Sequence, residues 1–420
     1  MPNAQSTKHN EPAKKRNYRP LVSTKALQKT MGRYYAITNY HRYWGKPLRR
    51  PLAWVTSGAP VELLRAFKIH SAYPEQYAAI YSARQATVSL CEVAETAGYS
   101  QDLCSYARSN IGGVLRPDLA PLGGMPKPDL LVACNNICGT VLKWYEVLAR
   151  HFNVPLLVLD TPFLTGELTP QAKEYVLEQL NAMAVDLEKI TGRKLNQQNL
   201  AEQMRRSAEI TSLWKETRQY CQTSPSPLNA PDLFIHMAPI VVLRGSQEGI
   251  NYYRKLEAEV KERVKLGQGA VNNERIRLVW DNIAIWPQLF SFYKLFAEKG
   301  ACFVTDTYSG GWAADHAPGT PMESLAATYT EVFLNRSPEY RANQLINLIR
   351  DYKANGFVMH SNRSCKPYSL VQEVIRRKVM RETGVPGLMI EADMADPRAY
   401  AEEPVRNRVQ AFLETFDDLT

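Results

Sequence analysis

The sequence predicts an α/β protein that contains two similar parallel sheets, with a helical insertion between them and a helical N-terminal region before the first. Three observations predict this architecture. Short apolar runs alternate with helical patterns in two separate parts of the chain, and a mostly helical stretch lies between those parts. The two parts also contain similar short sequence segments in the same order. Strands that are apolar on both faces are typical of parallel sheets covered by helices on each side.

The chain begins with a polar, basic tail and a helical segment, together residues 1–50, in which residues 23–47 carry no strand signal. The first strand is predicted at residues 52–55, where an apolar run stops at a turn. Pro60 then opens a helical pattern. This order of strand, turn and helix is the unit from which the rest of the fold is predicted.

The unit recurs at residues 130–133 and is followed by an apolar run at 154–160, which completes a predicted first α/β domain over residues 51–168. Residues 169–270 have a longer, helical period and predict a helical insertion or linker. Strand patterns then return and predict a second α/β domain over residues 271–420. Its predicted strands are residues 276–280, 302–305, 357–360 and 388–390.

An internal repeat relates the two strand-bearing parts. The segment at 130–138, LLVACNNIC, matches the segment at 357–365, FVMHSNRSC. Each segment is followed by a predicted helix and then by a second matching pair, NVPLLVLD and GVPGLMIE. The corresponding residues are Asn135 and Asn362, Cys138 and Cys365, and Asp160 and Glu391. Chance rarely produces the same Asn-x-x-Cys, Val-Pro and terminal carboxylate in the same order, so we expect two pseudo-repeated, flavodoxin-like domains.

The composition suits a folded protein of several compact units, since 45% of the 420 residues are apolar and 22% are charged. No run of eighteen or more apolar residues exists, and the amino terminus is polar and basic. We therefore expect no membrane span, no export and a cytoplasmic location. The net charge of +9 is mostly dispersed, which does not favour binding to nucleic acid.

Two of the seven cysteines, Cys138 and Cys365, lie in loops that directly follow predicted strands. In an open parallel sheet such loops line the crevice where ligands bind, and the helices that start there present free backbone amides. If the two domains face one another across a cleft, both thiols reach a single centre. Helix amino termini lower thiol pKa values, which suits a negatively charged iron-sulfur cluster.

A third ligand could come from Cys104, in a polar and turn-prone segment at residues 99–108. The remaining cysteines lie in apolar strand runs (Cys134 and Cys302), on a predicted helix (Cys91) or after one (Cys221), and are expected to act as small buried hydrophobic residues. An odd, scattered set favours reduced thiols over disulfides. The compact cysteine runs of ferredoxins and the spacing of zinc fingers are both absent, so on spacing alone cluster ligands and structural thiols remain alternatives.

Four segments resemble a known family: AWVTSGAPVELLRAF (53–67), DLCSYARSNIGG (102–113), PDLLVACNNICGTVLKWYE (128–146) and GFVMHSNRSCKPYS (356–369). They are similar to the larger cluster-bearing subunits of ATP-dependent benzoyl-CoA reductases, which belong with the 2-hydroxyacyl-CoA dehydratase subunits, including the D-component of 2-hydroxyglutaryl-CoA dehydratase. The likeness spans nearly the whole chain. It implies a 4Fe-4S cluster on three cysteines, matching Cys104, Cys138 and Cys365, with one iron left open for a substrate oxygen.

The resemblance implies an iron-sulfur subunit of an oxidoreductase, ATP-dependent benzoyl-CoA reductase. This complex carries out the ferredoxin-driven two-electron dearomatisation of benzoyl-CoA to cyclohexa-1,5-diene-1-carbonyl-CoA. One alternative is a 2-hydroxyacyl-CoA dehydratase subunit, where a ketyl radical forms and the electron is recycled. Another is a partner subunit that relays electrons or supports assembly while a homologous neighbour binds the substrate. The sequences of the segments CNNICGTVLKWYE and HSNRSCKPYS favour the reductase.

The partners that the resemblance implies are a homologous second cluster-bearing subunit, ATP-hydrolysing iron-sulfur activator subunits, and ferredoxin as the electron donor. The chain contains no G-x-x-x-x-G-K-[ST] phosphate loop, so ATP hydrolysis is expected in a partner.

Positive charge is concentrated in two places, the tail with Lys14, Lys15, Arg16 and Arg19 and the stretch with Arg42, Lys46, Arg49 and Arg50. Both are typical of solvated surface. Alternatively, one of them receives the phosphates of a coenzyme A substrate or an acidic electron-donor subunit.

Candidate residues for binding and proton transfer are few. Ser57 and Gly58 lie at the first strand-to-helix turn, where backbone amides could face the thioester of benzoyl-CoA or a related acyl-CoA. His360 ends a predicted strand, and Tyr308 begins a turn next to Asp306. Each has a structural alternative, as a helix cap for Ser57, a hydrogen-bonded core histidine for His360 and a packing residue for Tyr308.

Overall fold

The structure, a computed structural model, describes residues 19–44 and 49–417. Within this part the chain forms two four-stranded parallel sheets surrounded by helices. Helix α1 (Ser23–Tyr40) precedes the first sheet and ends before the predicted limit at residue 47. No helix among the described residues combines the length and the apolar character that are needed to cross a bilayer.

The first sheet consists of β1 (Leu52–Val55), β2 (His70–Ala72), β3 (Leu130–Cys134) and β4 (Leu156–Leu159) in the order β2-β1-β3-β4. Its helices are α2 (Val61–Ala66), α3 (Pro74–Ala83), α4 (Thr87–Thr96), α5 (Ser105–Leu115) and α6 (Gly139–Phe152), with a 3-10 turn at Pro121–Gly123. Strands β1 and β3 are buried along their whole length, as their apolar runs predict. The sequence missed β2, because three residues without an apolar run carry no strand signal.

A set of helices follows the first sheet: α7 (Pro170–Thr191), α8 (Gln197–Gln219), α9 (Ala230–His236), α10 (Ala238–Val242) and α11 (Gln247–Lys265), with a 3-10 turn at Tyr220–Gln222. Four of these helices are preceded by a residue whose side chain accepts a hydrogen bond from a first-turn N–H, namely Thr169, Asn196, Asn229 and Ser246. Helix α8 packs against both α2 and α11. The helical character predicted for residues 169–270 is therefore observed.

The second sheet consists of β5 (Ile276–Asp281), β6 (Ala301–Asp306), β7 (Gly356–Asn362) and β8 (Gly387–Ala392) in the order β6-β5-β7-β8. Its helices are α12 (Ser291–Ala297), α13 (Thr307–Gly310), α14 (Pro321–Thr330), α15 (Pro338–Asp351), α16 (Lys366–Ser369), α17 (Gln372–Thr383) and α18 (Glu402–Glu414). Three 3-10 turns complete it at Trp286–Gln288, Phe333–Asn335 and Pro397–Ala399.

Both sheets place their strands in the same order, with the first strand of each unit between the second and the third. This arrangement matches the beginning of the flavodoxin-like order, and it confirms the prediction of two similar parallel α/β units. Strands β3 and β7, which carry the repeated phrases, occupy equivalent positions. The domain boundaries at residues 51, 169 and 271 stay predictions.

The two units are joined by a shared apolar cluster and by buried polar contacts. The cluster contains Trp54 and Ile137 from the first unit and Ile283 and Met394 from the second. Arg108 on α5, only 3% exposed, forms ion pairs with Glu95 (2.5 Å) and with Asp396 of the second unit (3.1 Å). The carboxyl ends of the first-unit strands therefore face the second unit.

Part of the basic stretch at residues 42–50 has a structural role. Arg49 forms an ion pair with Asp129 at 2.5 Å, and Asp129 also accepts a hydrogen bond from the N–H of Leu52 at the start of β1. Arg42 donates to the carbonyl oxygen of Gly124. Lys14, Lys15, Arg16 and Lys46 lie outside the described residues.

Candidate functional site

Three of the seven cysteines line one pocket between the two units. Cys104, Cys138 and Cys365 are all partly buried and border a cavity of about 100 Å³, the cysteine pocket. The other four cysteines are fully buried elsewhere, as the sequence predicted. Cys104 and Cys138 come from the first unit and Cys365 from the second, so the pocket is completed by both.

Each of these cysteines directly precedes a helix. Cys104 lies before α5, Cys138 before α6 and Cys365 before the short α16. At Cys138 the backbone is extended and the next residue, Gly139, begins the helix. The amides in the first turns of α5 and α6 are therefore directed towards the pocket, where they favour negative charge.

Burial raises the pKa of all three thiols, to about 12 for Cys365. The neighbouring cysteines add to the rise at Cys104 and Cys365, because each thiolate disfavours the next. Backbone amides of the following helices act in the opposite direction and lower the pKa. Three thiolates can therefore coexist here only with a cationic partner, and this is the condition under which cysteine binds metal.

The chemistry of the donor set fits an iron-sulfur cluster, because cysteine thiolates are the ligands that such clusters use. Within residues 19–44 and 49–417, no three histidine, cysteine or carboxylate side chains converge closely enough to hold one metal ion. In a 4Fe-4S cluster each thiolate binds a different iron, so the sulfur atoms lie further apart. Cys104, Cys138 and Cys365 are the residues that would hold such a cluster.

A carboxylate that the sequence interpretation missed lies in the same pocket. Glu75, in the first turn of α3, accepts hydrogen bonds from the backbone N–H and the hydroxyl of Ser57, both at 2.6 Å. Loss of solvation raises the pKa of Glu75 to about 7, and the two bonds from Ser57 oppose this rise. A carboxyl group with this pKa exchanges protons near neutral pH.

Glu75 follows β2, the strand that the sequence did not indicate. The signal that could have found it is the Pro74–Glu75 pair, which is typical of the first turn of a helix. A carboxylate in that position after a short strand lies at the same sheet edge as Ser57, because β1 and β2 are parallel neighbours.

Of the other predicted residues, Tyr308 lines the cysteine pocket, whereas Gly58 and His360 do not. Burial raises the pKa of the Tyr308 phenol. Gly58 lies outside the lining, where the carbonyl of Gly58 accepts a hydrogen bond from Asn136 at 3.0 Å. A Cβ atom at Gly58 would lie 2.1 Å from the Asn136 side-chain oxygen, so this close approach requires glycine.

His360 is completely buried within β7 and does not line the cysteine pocket. Its Nδ1 lies 2.7 Å from the carbonyl oxygen of Ile283, and burial lowers the pKa of the imidazole to about 4. The ring is therefore neutral at physiological pH. Its Nε2 has no hydrogen-bond partner among the described residues.

The walls of the pocket are mostly aromatic and aliphatic. The aromatic members are Tyr106, Trp144, Tyr308, Trp312, Phe333 and Tyr368. A second cavity of about 80 Å³, the side cavity, shares Ser57, Glu75 and three aromatic residues with the cysteine pocket and extends to Phe234 and Trp286. Apart from the cysteines, Glu75 is the only ionisable acid or base among the described residues that line these cavities, tyrosines excepted.

Comparison with known proteins identifies the family. A family model described as "2-hydroxyglutaryl-CoA dehydratase, D-component" matches residues 56–416, which include the three pocket cysteines, Ser57 and Glu75. The chain belongs to this family.

Relatives within the family include dehydratase and reductase subunits. The (R)-2-hydroxyisocaproyl-CoA dehydratase alpha subunit of Clostridioides difficile is 35% identical over 376 residues, covering 88% of this chain and 91% of the relative. The (R)-phenyllactyl-CoA dehydratase alpha subunit of Clostridium sporogenes is 32% identical, covering 86% and 89%. A benzoyl-CoA reductase subunit of Thauera aromatica is 28% identical, covering 85% and 86%.

Membership of this family supports the interpretation of this chain as an enzyme subunit. The family's members are subunits of complexes that dehydrate or reduce CoA thioesters. Family members are known to be iron-sulfur proteins, which agrees with the donor set of the cysteine pocket. The resemblance inferred from the four sequence segments is thereby confirmed.

Proposed function

We propose that this chain is the cluster-bearing, substrate-binding subunit of a 2-hydroxyacyl-CoA dehydratase that acts on an apolar or aromatic acyl group. The observation that carries the proposal is the hydrogen-bonded pair of Glu75 and Ser57, which lies in the same otherwise apolar pocket as three cysteines. The chain is 35% and 32% identical to the two dehydratase subunits above and 28% identical to the reductase subunit. This difference supports dehydration, whereas the sequence segments alone favour the reductase function.

A 4Fe-4S cluster on Cys104, Cys138 and Cys365 would supply, when bound, single electrons and one iron without a protein ligand. Electrons would come from an ATP-hydrolysing iron-sulfur activator reduced by ferredoxin, and a homologous second subunit would complete the complex. The remaining chemistry is proton transfer and exclusion of water, which belong to the side chains of this chain.

Glu75 is the proposed proton-transfer residue. Dehydration of a 2-hydroxyacyl-CoA removes hydroxide from C2 and a proton from C3, and yields a 2-enoyl-CoA and water. The protonated Glu75 carboxyl donates its proton to the departing hydroxyl, and the resulting carboxylate accepts the proton from C3, so the group returns to its starting state. A pKa of about 7 suits both halves of this exchange near neutral pH.

Ser57 positions that carboxyl group. Its backbone N–H and hydroxyl both donate to the same oxygen of Glu75, which leaves the second oxygen available to the substrate. The aromatic walls exclude water and provide apolar surface for the acyl group. An acyl chain with its own carboxylate would meet Glu75 without a compensating cation in the lining, so we expect such substrates to be rejected.

The second candidate function is the two-electron reduction of benzoyl-CoA. The observation that favours it is the set of aromatic side chains around the cysteines, which suits a flat ring. In that reaction the electrons remain in the product, and Glu75 would supply protons to the ring.

The two functions differ in their electron requirement. The anaerobic complex with its second subunit and activator would receive 4-methyl-2-hydroxypentanoyl-CoA, 3-phenyllactyl-CoA or benzoyl-CoA with a limited amount of reductant, and products would be quantified by chromatography. Dehydration recycles its electron, so the 2-enoyl-CoA should greatly exceed the electrons supplied. A dienoyl-CoA formed from benzoyl-CoA at no more than one molecule per two electrons would instead establish the reductase function.

The same complex tests whether this chain or its neighbour binds the substrate. Addition of substrate should change the EPR spectrum of the cluster on Cys104, Cys138 and Cys365. If only the cluster of the neighbouring subunit responds, this chain relays electrons and the proposal is wrong.

A further inference from the structure

A cleft of about 470 Å³ lies at the opposite end of the first sheet from the cysteine pocket. Arg50 precedes β1 and His70 is the first residue of β2, and both line the cleft, so it adjoins the amino ends of these strands. The cysteine pocket adjoins the carboxyl ends, and the four residues of β1 span about 13 Å. Among the described residues, the cleft shares no lining residue with the cysteine pocket or the side cavity.

Positive charge is concentrated in this basic cleft. Its lining contains five cationic side chains and one carboxylate, namely Lys29, Arg33, Arg50, Arg65, Lys255 and Glu248. Five positive charges less one negative charge leave an excess of four. Elsewhere in the chain arginines are balanced by carboxylates, as Arg49 is by Asp129 and Arg277 by Glu274. No ion pair neutralises the five cations of the cleft within the part of the chain that the structure describes.

Arg65, in the last turn of α2, is held in place with one donor unused. Its Nη2 donates to the carbonyl oxygen of Val242 at 3.2 Å, while its Nε is buried and has no hydrogen-bond partner among the described residues. Gly245 has a φ of +74°, and a Cβ atom there would lie 3.2 Å from Cδ of Arg65, so this close approach favours glycine. A buried N–H without an acceptor costs free energy, so the position favours a ligand that brings acceptors.

The backbone and a histidine next to the cations indicate the same positive potential. Helix α11 begins beside the cleft, because its N-terminal cap, Ser246, belongs to the lining. The amino end of such a helix carries partial positive charge. Burial first, and then neighbouring cationic groups that include Arg65 and Arg50, lower the pKa of His70 to about 3. An anion bound in the cleft would offset this potential.

The charge and size of the cleft indicate the kind of anion. An excess of four positive charges matches a chain of three phosphates, which carries about four negative charges near neutral pH. Phosphate oxygens also suit the paired N–H donors of a guanidinium group. A cleft of about 470 Å³ has the size of a small-molecule site, whereas an acidic protein partner requires a more extended surface. Ile37 and Leu243 add apolar surface, against which a nucleoside could pack.

We propose that the basic cleft binds the oligophosphate group of a small anion, either inorganic polyphosphate or a nucleoside triphosphate, on Lys29, Arg33, Arg50, Arg65 and Lys255. The phosphate oxygens accept hydrogen bonds from these side chains, including the Nε–H of Arg65. The bound group also links α1, α2 and α11, on which four of the five cations lie. The inference is independent of the proposed function, because the acyl-CoA substrate takes no part in it.

The test is calorimetric titration of the purified full-length chain with inorganic triphosphate, in about 0.15 M salt without magnesium. Lys29→Gln/Lys255→Gln removes two charges from the lining, both from exposed side chains, so the fold should be preserved. The matched control, Lys261→Gln/Lys299→Gln, removes two charges from exposed lysines outside the lining. We expect the lining variant to weaken triphosphate binding by at least about tenfold and the control to change it by less than about threefold.

Titration with ATP under the same conditions distinguishes the two sources of the oligophosphate group. Equal or weaker binding of ATP than of triphosphate would assign the cleft to inorganic polyphosphate. Tighter binding of ATP, lost in the lining variant, would assign it to a nucleotide.

Four results would overturn the inference. One is the absence of triphosphate binding up to about 1 mM. Another is equal affinity of the two double variants, which would indicate only the general attraction of a basic protein for anions. Competition between triphosphate and an unreactive thioether analogue of an acyl-CoA would show that the cleft belongs to the substrate site. Finally, an oligo-aspartate peptide that binds more tightly than triphosphate, with the same dependence on Lys29 and Lys255, would assign the cleft to an acidic protein partner.

Discussion

The hydroxyl oxygens of Ser105 and Ser364 lie 3.2 Å apart, although 259 positions separate them in the chain. The backbone N–H of Ser105 also donates to the Ser364 hydroxyl oxygen at 3.1 Å. Each serine adjoins a pocket cysteine, Ser105 following Cys104 and Ser364 preceding Cys365. The contact therefore fixes the cysteine loops of the two units relative to each other.

Replacement of Ser364 by alanine should destabilise the protein. The change removes the hydroxyl that bonds to Ser105 and to the buried carboxylate of Asp393, and leaves both with fewer partners. We expect a loss of about 1–3 kcal/mol in the free energy of unfolding, measured by urea denaturation. Ser291→Ala, on an exposed position, is the control and should change stability by less than about 0.5 kcal/mol. Equal stabilities of the two variants would contradict a role for this contact.

The three pocket cysteines should be needed for iron and the buried ones should not. Anaerobically purified wild type should contain about four irons with matching acid-labile sulfide. Cys104→Ala, Cys138→Ala and Cys365→Ala should each lose the cluster signal in EPR, while Cys221→Ala, altered at a fully buried thiol, should keep it. Absence of iron in reconstituted wild type would mean that the chain binds no cluster and has only a structural role in the complex.

Glu75→Gln should abolish turnover without loss of the cluster. The amide keeps a hydrogen-bond acceptor for Ser57 but cannot carry the proton, so we expect the rate to fall by at least about a hundredfold. Iron content and affinity for the substrate should stay the same. Glu92→Gln, on an exposed position of α4, is the matched control. Near wild-type activity in Glu75→Gln would exclude this carboxyl as the proton-transfer group.

Ser57→Ala should shift the pH dependence of the reaction. The hydroxyl of Ser57 lowers the pKa of Glu75, so its removal should raise that pKa above its present value of about 7. Because the protonated carboxyl begins the reaction, activity should persist to higher pH in the variant than in wild type. A pH profile identical to that of wild type would show that the protonation of Glu75 does not set the upper pH limit of activity.

The stability of the cluster-free chain should fall between about pH 4.5 and 7 because of Glu75. In that interval the unfolded chain has lost the Glu75 proton while the folded chain retains it, so the unfolded state gains relative stability as the pH rises. The full effect should amount to about 3 kcal/mol. Urea denaturation across this range should show the decline in wild type and a smaller one in Glu75→Gln; parallel curves would contradict a raised pKa.

The sequence predicted those parts of the site that depend on local patterns. Cys138 and Cys365 each follow a buried strand and lie within a repeat, so their equivalent positions at the carboxyl edges of the two sheets could be inferred from spacing and topology. The parallel sheets were predictable for the same reason, because β3 and the first half of β7 are apolar runs that are buried.

Other parts depend on contacts between distant segments. Glu75 follows β2, which is too short for a pattern, and its raised pKa arises from burial by residues far along the chain. Gly58 could be assigned to a turn, but its contact with Asn136 could not be anticipated. The Ser105–Ser364 bond likewise appears only when the two units pack together.

The division of the pocket cysteines between the two units sets an order of events in biosynthesis. Cys104 and Cys138 leave the ribosome more than two hundred residues before Cys365, with the helical insertion between them. A nascent chain that has folded only its first unit offers two thiols, which is too few for the three-cysteine site. Insertion of the proposed cluster would therefore have to wait until Cys365 and the rest of the second unit have emerged and that unit has packed against the first.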